Sequence, residues 1–375
     1  MNVKVIHFGC GSLGMGLVVP FLSYLPKFNI YLSNRRHEDS ALNHRNLLLR
    51  EQKAYQLKQA EKIETVNFTD FFYFDEIEKL KELVTEDTAL IITTALKETG
   101  VDANIGLFSD LLKTRIESGI SKPVLFLACE NAIDSETVKN KIKLHLQNNF
   151  KSDFEFPLQI IFCNCVVDKM CNSPRLSQNQ VLVEAEYYDL WVIDELPIER
   201  AIYYAGSKLD DLGFIVKELK GYVTFTDMIN YYVRRKKWII NSLHQTIALY
   251  AHEQNFPLIH KFVQTSFGTL IARKIADDVY TSYHFNENSY RYNIQDVRKY
   301  ISDFLIRLQE FPSTTATALT RFKNGNTLEA FYTDFHRKTG ENATKYYSHT
   351  EKRLQSIDII LLKIVEMIAT KKYVE

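Results

Sequence analysis

Cysteine is scarce in this chain. Five are spread over 375 residues, an odd and scattered set, which excludes a disulfide-stapled scaffold and fits a reducing, cytoplasmic setting. An excess of either charge is also missing, since 46 lysines and arginines stand against 46 aspartates and glutamates. That balance gives no electrostatic reason to expect nucleic acid or an anionic membrane as partner. No apolar run has the length of a membrane span. The segment Met1 to Ile6 leads straight into a strand-like run and leaves no room for a signal peptide. Glycine is rare too, at 13 residues, yet four of them fall between positions 9 and 16, and the next is Gly100.

What is present is the texture of a soluble globular protein, 46% hydrophobic and 25% charged. The chain is longer than one core usually fills, so two domains are expected, divided at residues 1–197 and 198–375. Cys163, Cys165 and Cys171 lie close together in sequence. Their spacing matches none of the paired-cysteine zinc patterns, and they read as buried thiols with no metal. The 45 tyrosines and phenylalanines are more economically core residues than a stacking platform for bases.

The glycine cluster is Gly9-Cys10-Gly11-Ser12-Leu13-Gly14-Met15-Gly16, preceded by the strand-like residues 3–8 and followed by an apolar helical stretch from Leu17 to Leu25. A strand, this turn and a helix are what a dinucleotide-binding unit needs. Gly9 permits the tight turn, Gly11 the close approach of a pyrophosphate, and Gly14 the packing of helix on strand. The helix N-terminus offers N–H groups and a positive dipole end to the phosphates. The second strand, Asn29 to Ser33, leads into Asn34-Arg35-Arg36, where users of NAD carry an acidic residue for the ribose hydroxyls. A carboxylate would repel a 2′-phosphate, whereas a guanidinium pairs with it, so NADP(H) is expected over NAD(H).

Further strands are read at Ala89–Thr94, Val124–Ala128 and Gln159–Cys163, each short and continuously apolar, as in a parallel sheet covered on both faces. Charged helical segments separate the early ones, and Val181 to Ile193 reads as a later strand pair. Thr94, Glu130, Asn131 and Asn164 then lie along the carboxyl edge, where ligands bind in such folds. Beyond about residue 198 the strands give way to long amphipathic stretches at 227–254, 258–277, 294–309, 327–336 and 353–370. The fold class is therefore α/β: an N-terminal Rossmann-like doubly wound sheet followed by a mostly α-helical C-terminal domain.

One of those helices carries Lys236, Asn241 and His244. At roughly 100° per residue, His244 falls about 80° and Asn241 about 140° around the axis from Lys236, so all three can face one cleft. Taken singly, each has a plainer explanation. A lysine in Arg234-Arg235-Lys236-Lys237 is ordinarily part of a solvated face, His244 a helix histidine, and Asn164 a turn or cap residue.

Together with the glycine turn they resemble the polyol-specific long-chain dehydrogenases, the family of mannitol dehydrogenases, mannitol-1-phosphate 5-dehydrogenases and hexuronate reductases. The matching pieces are His7-Phe8-Gly9-x-Gly11-x-x-Gly14-x-Gly16, Thr93-Thr94-Ala95, Cys129-Glu130-Asn131, Asn164-x-Val166-Val167-Asp168-Lys169, Trp191 to Glu195, and Lys236-x4-Asn241-x2-His244. The resemblance implies metal-independent hydride transfer. Lys236 would be the general acid or base, poised by positive neighbours, and Asn164 and Asn241 the amides that stabilise the developing alkoxide. His244 would hold a substrate hydroxyl, with Glu195 and Asp168 as further candidate substrate contacts. The compact length and the Thr94-Ala95 pair resemble the phosphate branch, which implies D-mannitol 1-phosphate and D-fructose 6-phosphate. The alternatives are an unphosphorylated polyol or a hexuronate and, more remotely, a non-catalytic dinucleotide sensor. The expected partner is a polyol, sugar or sugar phosphate, and the protein a monomer or homodimer.

Overall fold

The computed structural model describes residues 2–130, 133–286 and 294–315. Asn131 and the expected amphipathic stretches at 327–336 and 353–370 lie outside the described residues.

Along the chain, β1 (Val3–Phe8) leads through the glycine turn into a helical segment whose first part, Gly14–Val18, is a π-helix and whose second is α1 (Val19–Ser23). Pro20 lacks an N–H and crowds the carbonyl four residues back, which accounts for a widened turn there. Then come β2 (Phe28–Asn34), α2 (Ser40–Gln52), β3 (Ala54–Gln59), β4 (Lys62–Asn67), β5 (Asp70–Tyr73) and α3 (Ile77–Val84). They are followed by β6 (Ala89–Thr94), α4 (Lys97–Ala103), α5 (Ile105–Glu117), β7 (Val124–Ala128), α6 (Ser135–Asn149) and β8 (Ile160–Cys163). The six strands β5-β2-β1-β6-β7-β8 form one parallel sheet. In β1, Val3 and Val5 join one hydrophobic cluster while Ile6 and Phe8 join another on the opposite face. Helices α1 and α2 cover the first face and α3 to α6 the second, the doubly wound arrangement expected from uninterrupted apolar strands.

Two small sheets accompany the large one, and the sequence signalled only one strand of each. β10 (Arg175–Ser177) and β11 (Gln180–Glu184) join β3 and β4 in the order β10-β11-β3-β4. β9 (Cys165–Asp168), β12 (Leu190–Asp194) and β13 (Thr224–Thr226) form the other. The expected strand pair within 181–193 is thus two strands of different sheets, because β11 pairs with β3 and β12 with β9. Strands β3 and β4 carry polar residues on their outward faces and escape a search for continuously apolar runs.

Helices α7 (Leu196–Ala205) and α8 (Asp210–Leu219) pack onto the first core, which extends to Val223. α9 (Ile229–Arg235) packs through Ile229 on Val166 of β9 and Val192 of β12, and the second core is built from a π-helical segment Lys236–Asn241, α10 (Ser242–Glu253), α11 (Ile259–Val263), α12 (Ser266–Asn286) and α13 (Ile294–Glu310). The chain breaks helix at Asn255-Phe256-Pro257. Asn255 is left-handed at φ 59° and Phe256 N–H reaches back to the Ala251 carbonyl, which closes the end of α10. No helix of the described residues is long and apolar enough to cross a membrane.

A buried ionic cluster fastens the helical core to the strands. Arg307 of α13 donates to both oxygens of Asp168, at 3.2 and 3.0 Å, and to both of Glu186, at 2.8 and 2.6 Å. Its guanidinium lies 3.8 Å from the centre of the Tyr188 ring, and the Tyr300 hydroxyl donates to Asp168 Oδ2 at 2.7 Å. Burial opposes ionisation of Asp168, yet the Arg307 charge and hydrogen bonds, with Lys236 nearby, hold its carboxyl below the usual range. Burial pushes Glu186 the other way. Arg307→Ala strands two buried carboxylates and is expected to lower the unfolding free energy by about 3–5 kcal/mol, measured by urea denaturation. Arg307→Lys, which cannot make the two-sided fork, should recover only part of that loss.

Candidate active site

The strands of the large sheet end at Phe8, Asn34, Tyr73, Thr94, Ala128 and Cys163, and because they are parallel, the residues that follow share one edge. The chain leaves β1 toward β2 on one side and continues from β6 to β8 on the other, so the crevice lies outside β1 and β6. The glycine turn occupies that position.

Each glycine of the turn answers to a different neighbour. Gly9 has φ +107°, and a Cβ there would sit 2.5 Å from the Ala95 carbonyl oxygen of the neighbouring strand loop. A Cβ on Gly14 would be 2.2 Å from His7 Nε2. A Cβ on Gly11 would meet only Ala95 O, at an ordinary 3.8 Å. The protein's own packing therefore requires glycine at 9 and 14 but not at 11, which leaves the approach of a ligand as the reason at Gly11. His7 is wholly buried beneath the turn. Its Nε2–H donates to the Gly9 carbonyl at 3.0 Å and its Nδ1 accepts from the Thr93 hydroxyl at 2.7 Å. That pairing needs the neutral ring, and burial lowers its pKa to about 4.

Glu130 braces the opposite lip. Its two oxygens accept from the N–H groups of Leu96 and Lys97 at 2.7 and 2.8 Å, and the buried Thr94 hydroxyl lies beside it. Lys97 is left-handed at φ 65°, so the carboxylate fixes a backbone turn that a lysine does not favour. Glu130 and Thr94, expected as cofactor contacts, thus shape the loop that packs on Gly9.

At the end of β2, Asn34 turns inward. Its side chain is buried and donates to Asn46 Oδ1 at 3.2 Å, while Asn46 donates to the Arg35 carbonyl at 3.1 Å. Arg36 is exposed, paired with Asp75 at 2.6 Å and stacked 3.9 Å from the Tyr73 ring. Arg35 is exposed beside it.

Asn164 lies between β8 and β9, and its Oδ1 accepts from the Glu136 N–H at 3.2 Å, at the start of α6. With that oxygen engaged, the end of the amide left for other partners is the NH2 donor, the one an alkoxide needs. The Lys236 ammonium donates to the Val167 carbonyl of β9 and bears electrostatically on Asp168. Residues 236–241 form a π-helix, so the α-helical angles expected for them do not hold. With i→i+5 bonds each residue turns through less than the α-helical value of roughly 100°, so Asn241 falls nearer the face of Lys236 than the expected angle of about 140°. His244 is buried edge-on against Phe304, ring centres 6.1 Å apart. Arg235, expected to lend charge to Lys236, lies over the Tyr300 ring at 3.8 Å. Asp168, expected among substrate contacts, is instead spent on Arg307 and Tyr300. Glu195 stands at the end of β12, where it begins α7.

With this geometry in place, comparison with known proteins is decisive at the level of family. Residues 3–202 match the family model described as the mannitol dehydrogenase Rossmann domain. The chain belongs to the mannitol dehydrogenase family. It is 22% identical over 334 residues to the mannitol-1-phosphate 5-dehydrogenase of Enterococcus faecalis, covering 85% of this chain and 79% of that protein. It is 25% identical over 317 residues to the enzyme of the same name from Thermoanaerobacter pseudethanolicus, covering 82% and 72%. The fold is similar to Pseudomonas fluorescens mannitol 2-dehydrogenase, solved as a ternary complex with NAD and D-mannitol, with a TM-score of 0.62 at 13% identity over 85% of this chain and 71% of that one. A substrate-free D-sorbitol dehydrogenase is also similar, with a TM-score of 0.55 at 14% identity over 84% of this chain and 75% of that one. The protein is thus an oxidoreductase of the mannitol dehydrogenase family with a dinucleotide-binding Rossmann domain.

Sequence reasoning missed His7 as the support of the turn and the Arg307 cluster. The signal for Arg307 was an arginine within the apolar stripe that carries Tyr300, Phe304 and Leu308. Gly11→Ala is expected to leave thermal stability within about 0.5 kcal/mol while nicotinamide-dinucleotide affinity falls, whereas Gly14→Ala should lose stability as well; paired melts and fluorescence titrations separate the two. His7 has its folded pKa below the ordinary 6.5, so its contribution is complete above pH 6.5 and is lost as pH falls toward about 4. The amount is about 3 kcal/mol, and urea midpoints across that window should slope more steeply for the wild type than for His7→Gln.

Proposed function

We propose that this protein is a metal-independent, NADP(H)-preferring dehydrogenase that interconverts a secondary alcohol of a polyol phosphate and the corresponding ketose phosphate, with D-mannitol 1-phosphate and D-fructose 6-phosphate as the substrate pair. The observation that carries it is the seating of Lys236 on β9, the strand that begins directly after Asn164. That seating brings a proton-carrying amine and an oriented amide from two different cores to one strand. The relatives named mannitol-1-phosphate 5-dehydrogenase support the substrate pair.

The nicotinamide coenzyme supplies hydride acceptance and donation. Gly11 leaves the backbone open for its pyrophosphate, in a turn whose shape Gly9 and Gly14 permit, and the loop held by Glu130 closes the other side. Lys236 takes the alcohol proton in oxidation and returns it in reduction. Asn164 and Asn241 point N–H donors at the oxygen as charge develops, worth about 3 kcal/mol per donor. His244, fixed by Phe304, holds a neighbouring substrate hydroxyl. An amine, two amides and an imidazole form a set suited to moving a proton and stabilising an oxyanion, and they do not resemble the carboxylate-rich sets that hold catalytic metals. Residues 1–197 carry the coenzyme and the later helices complete the substrate side.

Rates with NADPH and NADH against fructose 6-phosphate, fructose and a hexuronate test the reading. Fructose 6-phosphate should be reduced with the highest kcat/KM. A preference for either unphosphorylated sugar moves the protein to another branch of the family, and no turnover with any of them leaves a dinucleotide sensor. Lys236→Ala should lower kcat about 10²- to 10⁴-fold with coenzyme affinity unchanged; full activity in that variant, or loss of wild-type activity on chelation, overturns the mechanism.

A further inference from the structure

Arg45 is a buried cation without a matching anion. It lies in α2, is 8% exposed, and makes one long hydrogen bond, from Nη1 to the Pro174 carbonyl at 3.4 Å. Its Nε is buried with no hydrogen-bond partner. Among the described residues no carboxylate is paired with it, and burial lowers its pKa. A desolvated guanidinium with so little compensation is costly in a folded protein, and an arriving anion would remove that cost.

Its place in the fold indicates which anion. The next residue, Asn46, is bolted to Asn34 and Arg35 by two hydrogen bonds, so α2 is anchored to the end of β2 one residue from Arg45. In dinucleotide folds that point holds the adenosine ribose. On its other side, Arg45 bears electrostatically on Cys10 of the glycine turn. His37, three residues past Asn34, has a second buried nitrogen with no hydrogen-bond partner, Nε2. The groups that act on it are Arg35 and Arg45, with Asp39 opposing. Asp39 is occupied as the cap of α2, accepting from the N–H groups of Ala41 and Leu42. By contrast Arg36, an obvious clamp by sequence, is tied to Asp75 and the Tyr73 ring.

We propose that Arg45, with His37 beside it, holds the 2′-phosphate of NADP(H) and is the residue that sets coenzyme preference, in place of Arg36. This rests on the NADP(H) reading above. A guanidinium fork meets a phosphate dianion with two parallel N–H bonds, and the Nε now without a partner is one of its donors. The neutral His37 ring adds a third N–H or, once the phosphate is bound, takes up a proton.

Calorimetric titration of the full chain with adenosine 2′,5′-bisphosphate and with AMP tests it. The wild type should prefer the bisphosphate by about tenfold or more. Arg45→Ala should bring it down to the level of AMP while AMP and NADH binding hold, and Arg36→Ala should keep the preference. Arg45→Lys retains the charge without the fork; it should keep part of the preference, and it serves if the alanine variant does not fold. A preference that survives Arg45→Ala, or that Arg36→Ala abolishes, overturns the assignment of Arg45 while leaving the NADP(H) reading standing. A wild type that does not distinguish the two probes overturns both.

Discussion

Arg307 reaches from the helical core into the strands and is gripped there by two carboxylates, and the placement of the helical segment from Lys236 to His244 follows from that contact. Asp168 belongs to β9 and Glu186 follows β11, so one guanidinium ties two of the three sheets to α13. Each of these charges alone would be expensive to bury, but paired and fully hydrogen-bonded they are tolerated together. The fork geometry adds direction, because two parallel bonds to a carboxylate fix an angle as well as a distance. The second core, which includes both α13 and the residues after Lys236, is thereby oriented on β9. Arg307 and Lys236 together offset the charge of Asp168 where the cores meet.

The coenzyme side depends on a different constraint. A neutral imidazole under the glycine turn fills the space that a side chain at 14 would need and holds the Gly9 carbonyl in place. The turn is therefore shaped from beneath by His7 and from the side by Ala95, and Glu130 in turn shapes the Ala95–Lys97 backbone. Gly11 alone is left open.

Much of this was legible in the chain. The order strand, glycine cluster, helix at its start and the continuously apolar strands at 89–94, 124–128 and 160–163 were enough for a parallel doubly wound sheet, because periodicity and turn chemistry are local. Lys236, Asn241 and His244 were found by spacing. Their relative angles were misjudged, since nothing local announces a π-helix where an α-helix is the default. The strands β3, β4 and β10 were missed because half-exposed strands look like polar loops. Asp168 looked like a ligand-facing carboxylate because its partners lie more than 130 residues away.

The sequence by itself determined the class of fold and the position of the dinucleotide turn, both of which depend on short-range patterns. Only the tertiary structure decided which charges are spent on the protein and which remain for a ligand. Arg36, Arg45, Arg235 and Arg307 are alike in the sequence. One lies in a surface ion pair, one is buried without an anion, one stacks on a tyrosine and one clasps two carboxylates. A guanidinium's role is set by the carboxylates, rings and solvent brought to it from distant parts of the chain, and those neighbours exist only after the fold has formed.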